Sequence, residues 1–358
     1  MSPLKIPPPG GDNNTGGDSG RLYCLVPTSS LPSSCRSDAA ARYSGRPRCI
    51  TAPPQETKHI PTFLSMITTS DYCRSIFGEK LYKLSLDAGF SCPNRDGTLD
   101  TRGCIFCSAG GSGDFAGDRR LGIHEQIERE KSRVAAKYRG SRYIAYFQAF
   151  TNTHAPASEL EALFMPVIER SDIAALSIAT RPDCLPPETL ALLGRLGAIK
   201  PVWVELGLQT IHPASADYIR RGYPLEVFDR ALADLNALGI HTIVHLILGL
   251  PGETREDMLE SVRYVGRSGA GGVKLQLLHV LEGTDLAEDW RAGKFSCMGL
   301  DEYASLVADC IESLPPETVT HRFTGDGPKR ILLAPLWSGD KKRVLNTVNA
   351  VLRERGII

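Results

Sequence analysis

Residues 90–107 read FSCPNRDGTLDTRGCIFC. Three cysteines, Cys92, Cys104 and Cys107, stand there in a C-x11-C-x2-C spacing. Thiolates are soft donors that suit zinc or an iron–sulfur cluster. Three of them on a cluster would leave one iron without a protein ligand, open to a small molecule. Pro93, Gly97 and Gly103 let the loop turn tightly enough for three sulfurs to converge. The spacing alone leaves the metal open: a cluster, or a structural zinc completed by His124 or Cys73. Three buried thiols without metal are the plainest alternative.

The loop follows a short apolar run at 81–86, and the pattern repeats beyond it. Further β-type runs lie at 143–147, 174–178, 202–206, 242–248 and 272–278. Between and after them lie helical stretches near 122–138, 157–170, 187–196, 225–238, 254–268 and 301–313. Such alternation predicts parallel βαβ units. Six units predict an α/β fold, a partial (β/α)6 TIM-like barrel, whose chemistry sits at the C-terminal ends of the strands. A doubly wound sheet is the second choice, weakened because no G-x-G-x-x-G follows the first strand. The tail carries a strand near 318–323, a turn at 324–328 and a helix near 340–354. The expected organisation is an extension over 1–65, a core over 66–285 and a C-terminal extension over 286–358.

Residues 1–65 hold 10 of the 24 prolines and no sustained hydrophobic period. Such a segment cannot bury enough apolar surface to offset its ordering entropy and is expected to be disordered. Met66 is an alternative start; a transit peptide is the weaker reading, given Asp12, Asp18, Asp38 and Glu56. Lys plus Arg and Asp plus Glu both number 41, so nothing global argues for a polyanionic partner. No apolar run is long enough to span a membrane, and no secretory signal opens the chain. The C-x2-C pair suits metal binding in a reducing compartment, so a cytoplasmic location is expected.

The ordered motifs resemble the radical S-adenosylmethionine superfamily. They are the CPNRDG loop, YFQAFTNT (146–153), TRPDCLP (180–186), ELGLQT (205–210), RRG (220–222), HLILGLPGE (245–253), VKLQLLHVLEGT (273–284) and HRFTGDGP (321–328). The resemblance is to an uncharacterised bacterial subfamily related to the elongator catalytic subunit and to oxygen-independent coproporphyrinogen dehydrogenase. It implies a radical SAM barrel and a [4Fe-4S] cluster on Cys92, Cys104 and Cys107. It also implies S-adenosylmethionine, chelated to the open iron and reductively cleaved to a 5′-deoxyadenosyl radical that abstracts hydrogen from substrate. A reductase, flavodoxin or ferredoxin would supply the electron. Kinship to the elongator subunit raises transfer RNA as a substrate.

The resemblance also implies site residues. Gln209 and Arg221 match two cofactor-contacting positions, and His245 falls where a relative has a ribose-binding Asp. Thr151 matches the end of strand two, where the usual Gly-Gly is replaced by Ala149-Phe150. Gly249 opens a turn whose backbone could approach the nucleoside, and Glu253 is expected to cap the next helix. Arg181, Asp183 and Glu205 are placed near the barrel mouth, with an Arg181–Glu205 pair as one option. Cys184, Lys274, His279, His321 and Arg322 are weaker candidates for the substrate side. Against this enzyme stand two other classes: a non-catalytic structural-zinc protein, and an electron carrier that would need a fourth cluster ligand.

Overall fold

The computed structural model describes residues 66–358 except Asp326. The expectations for residues 1–65, including Cys24, Cys35 and Cys49, lie outside the described residues.

Strands and helices alternate in chain order. The first half holds α1 (Thr69–Phe77), β1 (Tyr82–Leu86), α2 (Ile123–Val134), β2 (Tyr143–Phe147), α3 (Ala157–Ile168), β3 (Ile173–Thr180), α4 (Pro187–Gly197), β4 (Val202–Gln209) and α5 (Pro213–Tyr218). The second holds α6 (Leu225–Ala237), β5 (His241–Leu248), α7 (Arg255–Arg267), β6 (Gly272–Leu277), β7 (Val280–Leu281), α8 (Asp285–Arg291), α9 (Leu300–Glu312), β8 (Val319–Arg322), β9 (Leu332–Ala334) and α10 (Lys341–Glu354).

One parallel sheet carries the fold, in the order β1-β2-β3-β4-β5-β6-β8. A doubly wound sheet reverses its strand order at a switch point. This order never reverses, so right-handed crossovers place the helices on one face and the sheet curls into an open barrel. The sheet has one strand more than the six expected, because Val319–Arg322 from the tail pairs with β6. The edge beyond β8 is met by the segment before α1: Thr320 N–H donates to Ile67 O at 2.8 Å.

Strands β2 and β3 are buried at every residue. Parallel strands covered on both faces read as continuous apolar runs, which is why the hydrophobic pattern located them. Strands β3 and β4 run past their expected ends, to Thr180 and Gln209, so polar residues extend them towards the mouth. Helix α1 was not expected. Its signal was local: Thr68 and Asp71 form a reciprocal capping box. The helix closes the N-terminal end of the barrel, where Tyr72 stacks on His241 at 4.4 Å between ring centroids. Beneath them Trp203 is fully buried.

Candidate active site

The CPNRDG segment is a self-bonded loop. Cys92 O accepts the amides of Arg95 (2.7 Å) and Asp96 (3.1 Å), and Asn94 O accepts that of Gly103 (2.6 Å). Gly97 and Gly103 hold φ of 91° and 80°, a left-handed backbone that other residues rarely adopt. The side chains complete the fold of the loop. Asn94 donates to Arg220 O (2.6 Å) and to Cys104 Sγ (3.3 Å), tying it to the turn before α6. Arg95 donates to Cys107 O (2.8 Å) and Ser108 O (2.7 Å). Asp96 accepts from Ser91 (2.6 Å) and pairs with His154 (2.8 Å). Sequence reasoning assigned Asn94, Arg95 and Asp96 no task, although the hexapeptide itself was the signal.

This loop puts Cys92, Cys104 and Cys107 on the wall of one cavity of about 250 Å³. Burial pushes the Cys104 thiol up to about 11 and raises Cys107 as well. Unliganded, these sulfurs hold protons; a bound metal reverses that balance by stabilising the thiolate. Among the described residues, the trio of potential ligand atoms lying within 4.8 Å of one another is His212, Asp257 and Glu260. The three sulfurs do not all lie that close together.

The other expected residues divide into two sets. Thr151, Gln209 and Arg221 line the same cavity as the cysteines. Gln209 ends β4 with φ of 71°, and its buried Oε1 has no protein partner. A buried acceptor in that state costs stability unless a ligand donates to it. Arg221 is buried, stacks on the Tyr223 ring at 4.7 Å, and donates to the carbonyls of Thr210 (2.6 Å) and Tyr223 (3.0 Å). Gly249 is not among the cavity-lining residues, and its amide donates to Met258 Sδ at 3.0 Å. Glu253 does not cap α7. Thr254 and Asp257 do so as a capping box, while Glu253 turns inward and accepts from Thr210 Oγ1 at 2.5 Å.

Ala149-Phe150 is accommodated by the opposite loop. A Cβ on Gly111 would meet the Phe150 ring at 2.3 Å, and one on Gly113 would meet Ala149 Cβ at 2.5 Å. Bulk at the end of β2 is matched by glycines across from it. Phe150 lines the cavity beside Arg95 and Arg119, whose guanidinium carbons lie 6.0 and 5.6 Å from its ring.

The second set forms a polar layer deeper in the barrel, centred on Glu205. Its carboxylate accepts from Lys83 (2.6 Å), Ser177 (2.7 Å), His245 Nε2 (2.8 Å) and Lys274. Burial alone would raise the Glu205 pKa, yet Lys274 and Lys83 hold it well below the usual carboxylate range. Gln276 donates to His245 Nδ1 at 3.1 Å, which leaves Nε2 as the proton-bearing nitrogen facing Glu205. Both ring nitrogens of His245, expected at a ribose, are therefore engaged inside this layer. Burial lowers its pKa to about 4, so the ring is neutral. Arg181 does not meet Glu205: it makes a two-point pair with Asp183 at 2.9 and 2.7 Å. Cys184 is buried, its thiol pushed by burial to about 12. His321 lies away from the cavity wall, against His241 at 2.9 Å, whereas Arg322, His279 and Lys274 line it.

Two family models match the chain: the Radical SAM superfamily over residues 101–265 and the Radical_SAM C-terminal domain over residues 270–354. An uncharacterized protein of Bacillus subtilis, YtqA, is 44% identical over 289 residues, 81% of this chain and 90% of the relative. A tRNA uridine(34) acetyltransferase of Methanocaldococcus jannaschii is 28% identical over 162 residues, 44% of this chain and 29% of that protein. Among solved structures, archaeal Methanocaldococcus infernus Elp3 lacking its N-terminus superposes with a TM-score of 0.60 at 17% identity. That match covers 78% of this chain and 64% of the other, and it shows a shared fold. The sulfur-lined cavity, the open parallel barrel and a 44% identical relative matched over nine-tenths of its length agree, and the chain belongs to the Radical SAM superfamily, a superfamily of enzymes that implies an iron–sulfur cluster and S-adenosylmethionine.

Proposed function

We propose that Cys92, Cys104 and Cys107 hold a [4Fe-4S] cluster at the mouth of the barrel, and that S-adenosylmethionine binds between it and Gln209. The observation that carries this is the joint placement in one cavity: three cysteine sulfurs, and an orphaned buried Gln209 Oε1 with them. When bound, the pair supplies a 5′-deoxyadenosyl radical by reductive cleavage, and the radical takes hydrogen from a substrate. The chain's own groups bind and orient. Gln209 Oε1 accepts from the cofactor, and Arg221 fixes the backbone carbonyls around it. Asn94 sends an N–H towards Cys104 Sγ, a contact that tunes how readily a cluster accepts an electron. Phe150 and Phe115 on the cavity wall exclude water.

The seven described cysteines are all free thiols, in keeping with a reducing, cytoplasmic setting and an external reductase, flavodoxin or ferredoxin as electron donor. No helix of the described residues is long and apolar enough to cross a membrane. Transfer RNA enters as a candidate substrate through tRNA uridine(34) acetyltransferase relatives, which match about half of this chain or less. The structural-zinc alternative is not favoured, since the superfamily match opposes it. The test is anaerobic reconstitution, iron and sulfide analysis, then reduction with S-adenosylmethionine present. Formation of 5′-deoxyadenosine is expected; its absence from a fully loaded, reducible sample would refute the proposal.

A further inference from the structure

The charged side chains around the cysteine trio are not all matched. Arg181 lines the cavity, but its guanidinium is taken up by the two-point pair with Asp183. Asp96 is engaged by Ser91 and His154, and Asp114, also on the cavity lining, accepts from Ser108 Oγ at 2.7 Å. Arg95 is half-buried and lines the same cavity, and among the described residues no carboxylate pairs with it. Its Nη2 donates instead to two neutral carbonyls, Cys107 O and Ser108 O. Those bonds brace the loop and leave the positive charge unspent.

The guanidinium has a built place. A Cβ on Gly103 would meet Arg95 Nε at 2.9 Å, so a larger residue at 103 would displace it. From that place it acts on a sulfur. Burial raises the pKa of Cys107, and Arg95 opposes burial by its charge and by hydrogen bonding, favouring the thiolate. A fixed cation that favours one negative charge favours any further negative charge gathered beside it. A cluster held by thiolates gains exactly such a charge on reduction, and the net charge and the hydrogen bonds around its sulfurs set its potential.

We infer that Arg95 is the counter-charge of the cluster, and that its guanidinium makes the cluster easier to reduce as well as bracing the loop. This deepens the proposed function and rests on it for the cluster itself. A brace needs only donors for two carbonyls, and a neutral amide offers those too. The charge matters most in the reduced state, so removing it makes the electron harder to accept and lowers the midpoint potential.

The test is anaerobic reconstitution of the full chain, iron and sulfide analysis of each sample, and a redox titration followed by electron paramagnetic resonance without S-adenosylmethionine. Arg95→Gln keeps donors for the carbonyls and loses the charge. A loaded sample of it should be about tenfold harder to reduce, a midpoint about 59 mV lower for one electron. Arg95→Lys keeps the charge and should stay within about threefold of the parent. A loaded Arg95→Gln that differs from the parent by less than about threefold would overturn the inference and leave a brace only. Should Arg95→Gln hold no cluster, Arg95→Lys decides. Parent-like reduction supports the counter-charge, and reduction more than about threefold harder overturns it. Failure of both variants to hold a cluster overturns it as well, because holding the loop would then be the whole role. A parent that takes up no cluster removes the proposed function and this inference together, whereas a loaded parent with an indifferent Arg95→Gln removes the inference alone.

Discussion

The cavity has two ends, built by opposite means. The outer end is made by one loop: three sulfurs within residues 92–107, held by hydrogen bonds from the loop's own Asn94 and Arg95. The inner end is made by the whole barrel. Its central pairs, Lys83–Glu205 and Lys274–Glu205, join residues 122 and 69 positions apart. A loop site can be altered with little damage to the fold. An inner layer that draws on every strand cannot, because its partners are also what fills the barrel. Function and stability should therefore separate at the outer end and merge at the inner one.

The largest effect is expected at the outer end. Cys92→Ala, Cys104→Ala or Cys107→Ala should each reduce bound iron and 5′-deoxyadenosine formation to background while the chain still folds, as judged by far-ultraviolet circular dichroism. Retention of cluster chemistry in any one of them would break the assignment of that ligand.

Next is Glu205→Gln, which leaves Lys83 and Lys274 buried without a counter-charge and should cost about 3–5 kcal/mol in urea unfolding. A loss below about 1 kcal/mol would mean that the layer is hydrated and that the contrast between the two ends is false.

Gly111→Ala comes third. It strains a backbone at φ of 58° and drives a methyl into the Phe150 ring. A loss of about 2 kcal/mol is expected. Added Phe150→Ala should recover part of it, so the double-mutant cycle reads out whether loop glycines and strand-end bulk are matched. Strict additivity would show that they are not.

Gln209→Ala should weaken S-adenosylmethionine binding about tenfold, about 1.4 kcal/mol, without lowering the melting temperature of the unloaded chain. An unaltered affinity would give the orphaned carbonyl some other partner.

The smallest effect is a pH response of the inner layer and the closed end beneath it. Burial lowers the pKa values of His245 and His241 to about 4, below the ordinary 6.5. The unfolded chain then takes up protons first, so this stability is full above pH 6.5 and lost as pH falls towards 4. A step from about pH 7 to about pH 6 should cost about 1 kcal/mol, read by thermal melts. A melting temperature that rises over that step would reverse the sign and the argument.

The same contrast governs what could be read before folding. The cysteine loop was legible because its three thiols are near neighbours and their spacing survives any tertiary arrangement. The strands were legible because burial on both faces leaves an unbroken apolar run. Glu205, Lys274 and His245 stood out as polar residues inside such runs, but their partners did not: Glu205 was offered to Arg181, which pairs with Asp183 instead. Glu253 looked like a helix cap because acids favour that position, yet Thr254 has the geometry to accept the first amides.

The sequence by itself determined a parallel α/β barrel, the cysteine trio proposed as cluster ligands and the superfamily that the motifs signal, since each rests on short-range spacing. Only the tertiary structure decided that a seventh strand, from the tail, extends the open curl and that the three cysteines line the same cavity as Gln209 and Arg221. It alone also gathered Lys83, Ser177, His245 and Lys274 around the buried Glu205 carboxylate. Those facts depend on strand register and on distances between residues remote in the chain, and periodicity carries neither.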